Sequence, residues 1–199
     1  METSSSMWPP EGRVVLRGVS WARYEALLAA LGDDYPSLRL TYLKGTLEIM
    51  TTSRLHERIK KLLARLLEMW AVERGRTLEG EGSATFRKRE AERGLEPDEC
   101  YMLGPDRDFP DLAIEVVHTH GGIDKLDVYA GLGVREVWFW EDGAIAVYAL
   151  VGERYERHST SALLPDLDLA QLASFVSRGL GERDQTALVR AYRDALRSE

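Results

Sequence analysis

The 199 residues are 44% hydrophobic and carry a formal net charge of −7, a size and composition that suit one compact α/β domain. The acidic balance argues against a protein that holds nucleic acid chiefly by counterion release, while leaving room for an enzyme with a local basic cleft. The single cysteine, Cys100, excludes an internal disulfide or a cysteine-rich zinc site, and no apolar run approaches the roughly 20 residues of a membrane span.

Residues Met1 to Pro10 read as a loose arm, and residues 1–19 are expected to precede a single domain over 20–199. This acidic, Ser-rich start lacks the basic and apolar parts of a signal peptide, so a cytoplasmic protein is expected. Ser20 is a good helix cap, and Trp21, Tyr24, Leu27, Leu28 and Leu31 recur at helical spacing, which predicts an amphipathic helix over Trp21–Leu31 ending at Gly32. Leu38–Leu43 and Thr46–Met50 flank Lys44-Gly45 as a tight hairpin. Ser53 opens a long helix to about Arg74, with Leu55, Ile59, Leu62, Leu63, Leu66, Leu67 and Trp70 on one face and Gly75 as its stop.

Short β runs follow at Arg76–Glu79 and Ser83–Lys88, then a charged loop at Arg89–Gly94 and a strand from Pro97-Asp98 to about Leu103. Leu112–Val117 is the next strand, Gly121-Gly122 breaks the chain, and Ile123–Leu132 reads as a short helix closed by Gly133. Val134–Glu141 and Ala144–Val151 form a hairpin through Asp142-Gly143, with another hairpin arm around Glu153–His158. Two helical stretches, near Leu167–Val176 and Asp184–Arg197, end the chain. The strand–helix–strand unit through Asp111–Trp140 implies a crossover between parallel strands, and the whole predicts a mixed β-sheet flanked by helices.

Acidic side chains interrupt two of these runs. Leu112–Val117 is apolar and β-branched, the pattern of a strand covered on both faces, yet it carries Glu115. An unpaired charge taken out of water costs several kcal/mol, roughly, so this carboxylate must be hydrogen-bonded, paired or bound to a cation. Asp98 lies one turn and one strand upstream, so the two carboxylates can meet on neighbouring strands. Paired hard oxygens suit Mg²⁺ or Mn²⁺, which take water and substrate phosphate as further ligands. A water-activating lysine two residues after the acid would share its strand face, but that position is Val117. The nearest lysine, Lys125, lies in the following helix, from where it can swing back toward the carboxylates, and it shares a helix face with Tyr129.

These residues, taken with several short motifs, resemble a known family. The motifs are Tyr42-Leu43-Lys44-Gly45-Thr46-Leu47-Glu48-Ile49-Met50, His56-Glu57, Gly94-Leu95-Glu96-Pro97-Asp98-Glu99-Cys100-Tyr101, Pro110-Asp111-Leu112-Ala113-Ile114-Glu115-Val116, and Asp124-Lys125 through Tyr129 to Gly133-Val134-Arg135-Glu136-Val137-Trp138. In order and spacing they resemble the Uma-type family of bacterial putative restriction endonucleases, within the PD-(D/E)xK nuclease superfamily. The resemblance is close from Tyr42 to Val151 and loose elsewhere. It implies a restriction-endonuclease-like α/β fold with β-hairpin additions and a metal-dependent DNA endonuclease. It further implies Asp98 and Glu115 as ligands of Mg²⁺ or Mn²⁺, Glu57 as a helix-borne acid and Lys125 as a migrated lysine. The departure at Val117 also leaves open a catalytically inactive scaffold that binds nucleic acid or a protein partner.

Blander roles stand beside these. Glu115 also suits a structural salt bridge, Asp98 a turn at the strand start, Glu57 a complement to the helix dipole, and Lys125 a solvated side chain. Asp111 also follows a proline, but strand rise puts it roughly 13 Å from Glu115, too far to share one ion, so it reads as a strand-entry residue. His56 is expected to bond the hairpin backbone, and His118 and His120 to sit in a loop near the site mouth. Lys60, Lys61 and Arg65 read as a solvated face or, with Arg87, Lys88 and Arg89, as a basic rim for DNA. Trp138 and Trp140 share a strand face and read as core or as a dimer contact. Duplex cleavage needs two sites, so a homodimer fits the endonuclease reading.

Overall fold

The computed structural model describes residues 11–32, 34–35, 37–104, 107–117 and 122–198. The arm expected at Met1–Pro10 and the loop histidines His118 and His120 lie outside the described residues. The first element among the described residues is β1 (Arg13–Arg17), a strand that the hydropathy pattern does not announce because most of its residues are exposed. α1 (Trp21–Leu31) is capped by the Ser20 hydroxyl, which accepts from the Arg23 amide. β2 (Leu38–Leu43) and β3 (Thr46–Thr51) turn through Lys44 and Gly45, whose φ angles of 43° and 86° are both left-handed, as a two-residue hairpin whose twist matches its strands requires. α2 (Arg54–Arg74) starts under the Ser53 cap and stops at Gly75.

The following segment departs from the expected pattern. The two β runs shrink to β4 (Glu79–Gly80) and β5 (Phe86–Lys88). The stretch read as a charged loop contains a 3-10 turn, Arg89–Ala91, and a strand, β6 (Arg93–Leu95). β6 owes its place to non-local pairing, since it inserts between β2 and β5. Gly94 is what permits this, because a Cβ there would lie 2.4 Å from the Tyr24 hydroxyl.

β7 (Glu99–Met102), β8 (Leu112–Val116), α3 (Lys125–Leu132), β9 (Glu136–Glu141), β10 (Ala144–Val151) and β11 (Arg154–His158) come next, followed by α4 (Leu169–Gly181) and α5 (Gln185–Leu196). The strands form two sheets rather than one. An antiparallel sheet has the order β1-β3-β2-β6-β5, and a mixed sheet the order β11-β10-β9-β8-β7-β4. The only parallel pairing among the described residues is β8 with β9, joined through α3 as the crossover pattern predicts. This is the expected restriction-endonuclease-like α/β fold, a mixed sheet flanked by helices with hairpin additions.

The mixed sheet is covered on both faces, which explains the continuous apolar reading of β8. Leu112, Ile114 and Val116 pack with α2, α4, α5, Trp138 and Trp140 in the largest core, where the two tryptophans take the core role. The alternate residue Ala113 faces Val128, Tyr129 and Leu132 of α3, together with Cys100 and Met102. Strand alternation therefore points Glu115 toward α3. Trp21 and Tyr24 of α1 pack with Leu40, Tyr42 and Leu47 on the antiparallel sheet. Among the described residues no helix is long and apolar enough to cross a membrane.

Candidate functional site

β7 and β8 are neighbours, with Glu99 opposite Ile114 and Cys100 opposite Ala113. Continuing that register by one residue sets Asp98 opposite Glu115, and directly opposed residues of an antiparallel pair project to the same face. Both side chains are shut off from solvent, at 1% and 0% exposure. Each carboxylate is held at both oxygens. Asp98 Oδ1 lies 2.8 Å from His56 Nε2, and Oδ2 accepts from the Val116 amide at 2.8 Å. Glu115 Oε2 accepts from Lys125 Nζ at 2.6 Å, and Oε1 from the Tyr129 hydroxyl.

Lys125 is the first residue of α3, delivered there by the Asp124 cap, and Tyr129 follows on the same helix face. Both reach back over the sheet to Glu115, as the spacing predicts. Burial opposes the charge on Lys125, but the Glu115 and Asp98 carboxylates outweigh it and raise the ammonium above its ordinary range. The two acids are driven apart. Burial pushes Asp98 up, yet the His56 bond and charge, Lys125 and the Val116 amide bring it down to about 2. Burial pushes Glu115 up to about 7, with Lys125 opposing and the neighbouring Asp98 charge adding to the rise. A pair of facing carboxylates with opposite shifts is a common mark of a functional site.

The structure brings together Asp98, Glu115 and Lys125, and it places Glu57 apart from them. Glu57 follows His56 on α2, and its carboxylate is partly exposed beside Lys60 Nζ (3.4 Å) and Arg39 (4.0 Å). It lines a cleft of about 420 Å³ with Arg39, Lys60 and Ser83. That cleft touches the site indirectly, because Ser83 Oγ accepts from Lys60 at 3.1 Å and donates to the Asp98 carbonyl at 3.2 Å. The helix-borne group that reaches Asp98 is His56, which was expected to bond the hairpin backbone. Its side chain is wholly buried, and the Asp98 interaction prevails over burial to raise the imidazole above its ordinary range.

Asp111 stands at the other end of β8, as its spacing requires. It accepts from the Leu103 amide (2.9 Å) and pairs with Arg107 and Arg135, an anchor for the strand entry. Val117 gives its amide to Trp140 and continues the sheet beyond β8. The two basic groups separate. Lys60, Lys61 and Arg65 line one cleft, while Arg87, Lys88 and Arg89 line another with Trp21, Phe86 and Phe109.

Sequence reasoning placed Glu48 in a motif but gave it no role. It is buried in the middle of β3, where Oε2 accepts from the Ile123 amide at 3.0 Å and lies 3.6 Å from Arg13. Its charge is felt at Lys125. Gly122, at φ 98°, makes this contact possible, since a Cβ there would fall 1.7 Å from Glu48 Oε2. The signal was available: Glu48 breaks the apolar run Leu47-Glu48-Ile49-Met50 just as Glu115 breaks its own.

The donor set at Asp98 and Glu115 is hard oxygen, and two carboxylates suffice for a Mg²⁺-type ion that keeps its waters. Among the described residues there is no gathered group of three or more His, Cys, Asp or Glu side chains suited to a metal. A family model described as Uma2, "Putative restriction endonuclease", matches residues 21–183. No curated protein matches the chain.

Proposed function

Since the chain belongs to the Uma2 family of putative restriction endonucleases, we propose that it is a divalent-metal-dependent DNA endonuclease of the PD-(D/E)xK type. The observation that carries this reading is a lysine amine 2.6 Å from a fully buried carboxylate, which faces a second buried carboxylate across paired strands. In this role Asp98 and Glu115 hold Mg²⁺ or Mn²⁺. A cation bound there supplies Lewis-acid stabilisation of the charge developing on the phosphate.

The remaining work falls to this chain's own side chains. Lys125 Nζ orients the attacking water and donates to the phosphate oxygens as negative charge grows on them. Tyr129 fixes the Glu115 carboxylate, and the Val116 amide fixes Asp98. Glu57 serves as an outer acid that sets the Arg39 and Lys60 cations in the adjacent cleft. A homodimer presents two such sites to the two strands of a duplex.

The test is Mn²⁺-dependent nicking of plasmid DNA by the full chain. Asp98→Ala and Glu115→Ala proteins are expected to lose it, and undiminished nicking by either would sink the assignment. A second reading, a catalytically inactive scaffold that binds nucleic acid or protein, is favoured by a specific observation. All four oxygens of the two acids already have protein partners, and Val117 stands where a lysine is usual. Absence of Mn²⁺ binding at millimolar concentration in calorimetry would select it.

A further inference from the structure

We propose that Glu11 and His56 form a positioning chain for Asp98, so that the segment leading into β1 sets the orientation of a carboxylate at the site; this rests on the metal-binding reading above. The His56 imidazole lies between two carboxylates. Nε2 lies 2.8 Å from Asp98 Oδ1, and Nδ1 lies 3.2 Å from Glu11 Oε1. A ring flanked on both sides by carboxylates cannot rotate without losing both partners, and outer partners of this kind orient metal-ligating groups.

Glu11 is itself tied down. The Ser53 hydroxyl donates to Glu11 Oε1 at 3.2 Å while accepting from the His56 amide at 3.1 Å, so one hydroxyl both caps α2 and fixes the acid. The Glu11 side chain is 6% exposed and sits at the N-terminus of α2, where the helix dipole favours an anion. With the Val116 amide on Oδ2, the chain fixes Asp98 at both oxygens. Stability alone does not call for this arrangement, because buried charged groups can often be replaced by apolar ones of similar volume without loss. Glu11 also lies ahead of residues 21–183, so this part of the site is outside the matched family region.

The test compares Mn²⁺ affinity by calorimetry in the full chain as wild type, Glu11→Ala, Glu11→Gln and His56→Gln, with thermal melts alongside. Glu11→Ala and His56→Gln are expected to weaken Mn²⁺ binding by about 10-fold or more, within the 10- to 100-fold that outer partners contribute. Glu11→Gln, which keeps an oxygen of the same reach beside the ring, is expected to stay within about 3-fold of wild type, a rescue that loss of bulk stability does not produce. Should Glu11→Ala fail to fold, Glu11→Asp, which withdraws the carboxylate by one methylene, replaces it. Wild-type binding with equal binding in Glu11→Ala overturns this inference alone. No binding by the wild type overturns the metal reading and this inference with it.

Discussion

Replacing Lys125 by Met keeps the apolar stem of the side chain and removes the ammonium that lies 2.6 Å from Glu115. Glu115 has no exposure, so its charge is then left with the Tyr129 hydroxyl as its hydrogen-bond donor. Removing one partner of a buried ion pair costs about 3–5 kcal/mol. Protonation limits the loss. Burial already pushes Glu115 up to about 7, and Lys125 is the main group opposing that rise. Without it the carboxyl rises further, and each unit is worth about 1.4 kcal/mol between its two protonation states. A carboxyl whose folded pKa is raised is fully stabilising below its unfolded value, and that contribution disappears as the pH climbs through the folded one. Lys125→Met should therefore lose more near pH 8 than near pH 5, where the acid is neutral, and the single pH unit between about 7 and 8 limits that difference to about 1.4 kcal/mol. For a chain of this size each kcal/mol moves Tm by about 2–4 °C, so the extra drop at the higher pH is at most about 3–6 °C. The assay is thermal melting in chelator at both pH values for wild type, Lys125→Met, Glu115→Gln and the double variant. The double variant should recover most of the loss because no unpaired charge remains. A loss that is equal at both pH values, or no recovery in the double variant, would refute the buried ion pair.

Asp111→Asn tests the anchor at the other end of β8. Burial works against the Asp111 charge, but the Leu103 amide, Arg107 and Arg135 hold the carboxyl below its ordinary range. A depressed carboxyl stabilises above its unfolded pKa and loses that contribution as pH falls through the folded one. The variant should thus be about 1–3 kcal/mol less stable near neutrality, with urea midpoints converging on wild type as the pH falls below the ordinary carboxylate range. Glu136→Gln tests a carboxylate that accepts from the Ala162 and Leu163 amides, the Ser161 hydroxyl and the Trp138 indole at 2.6–3.0 Å. The new amide group must face donors, so melting should reveal a loss of about 2–3 kcal/mol, while calorimetry should find Mn²⁺ affinity unchanged.

The parts of this fold that were legible from sequence are those governed by local signals. Ser20 and Ser53 caps, the Lys44-Gly45 turn and the Gly75 stop fix their elements within a residue or so, because the stereochemistry responsible is contained in a few consecutive residues. The division into two sheets was not legible. β6 contains Arg93 and Gly94, residues with little preference for a strand, and it exists because β2 and β5 offer edges on either side. The same limit hid the support of the site. His56 meets Glu11 because β1 pairs with β3 and delivers the segment ahead of it to the start of α2, a consequence of register that no local pattern encodes.

An acid within a strand of a sheet is not by itself a sufficient sign of a functional group. Glu48, Glu115 and Glu136 all satisfy it, and all three are buried. What separates them is the nature of their donors. Glu136 is enclosed by two backbone amides, an indole and a hydroxyl, fixed groups that leave the carboxylate nothing to do but join β9 to the segment before α4. Glu115 is held by an ammonium on a flexible stem and a phenol, both from one helix, and a second carboxylate faces it. A lysine can withdraw along its stem and admit a cation of the same sign, whereas backbone amides cannot. The capacity to exchange one positive partner for another, rather than burial itself, is the property on which the proposed role of Glu115 rests and which Glu136 lacks.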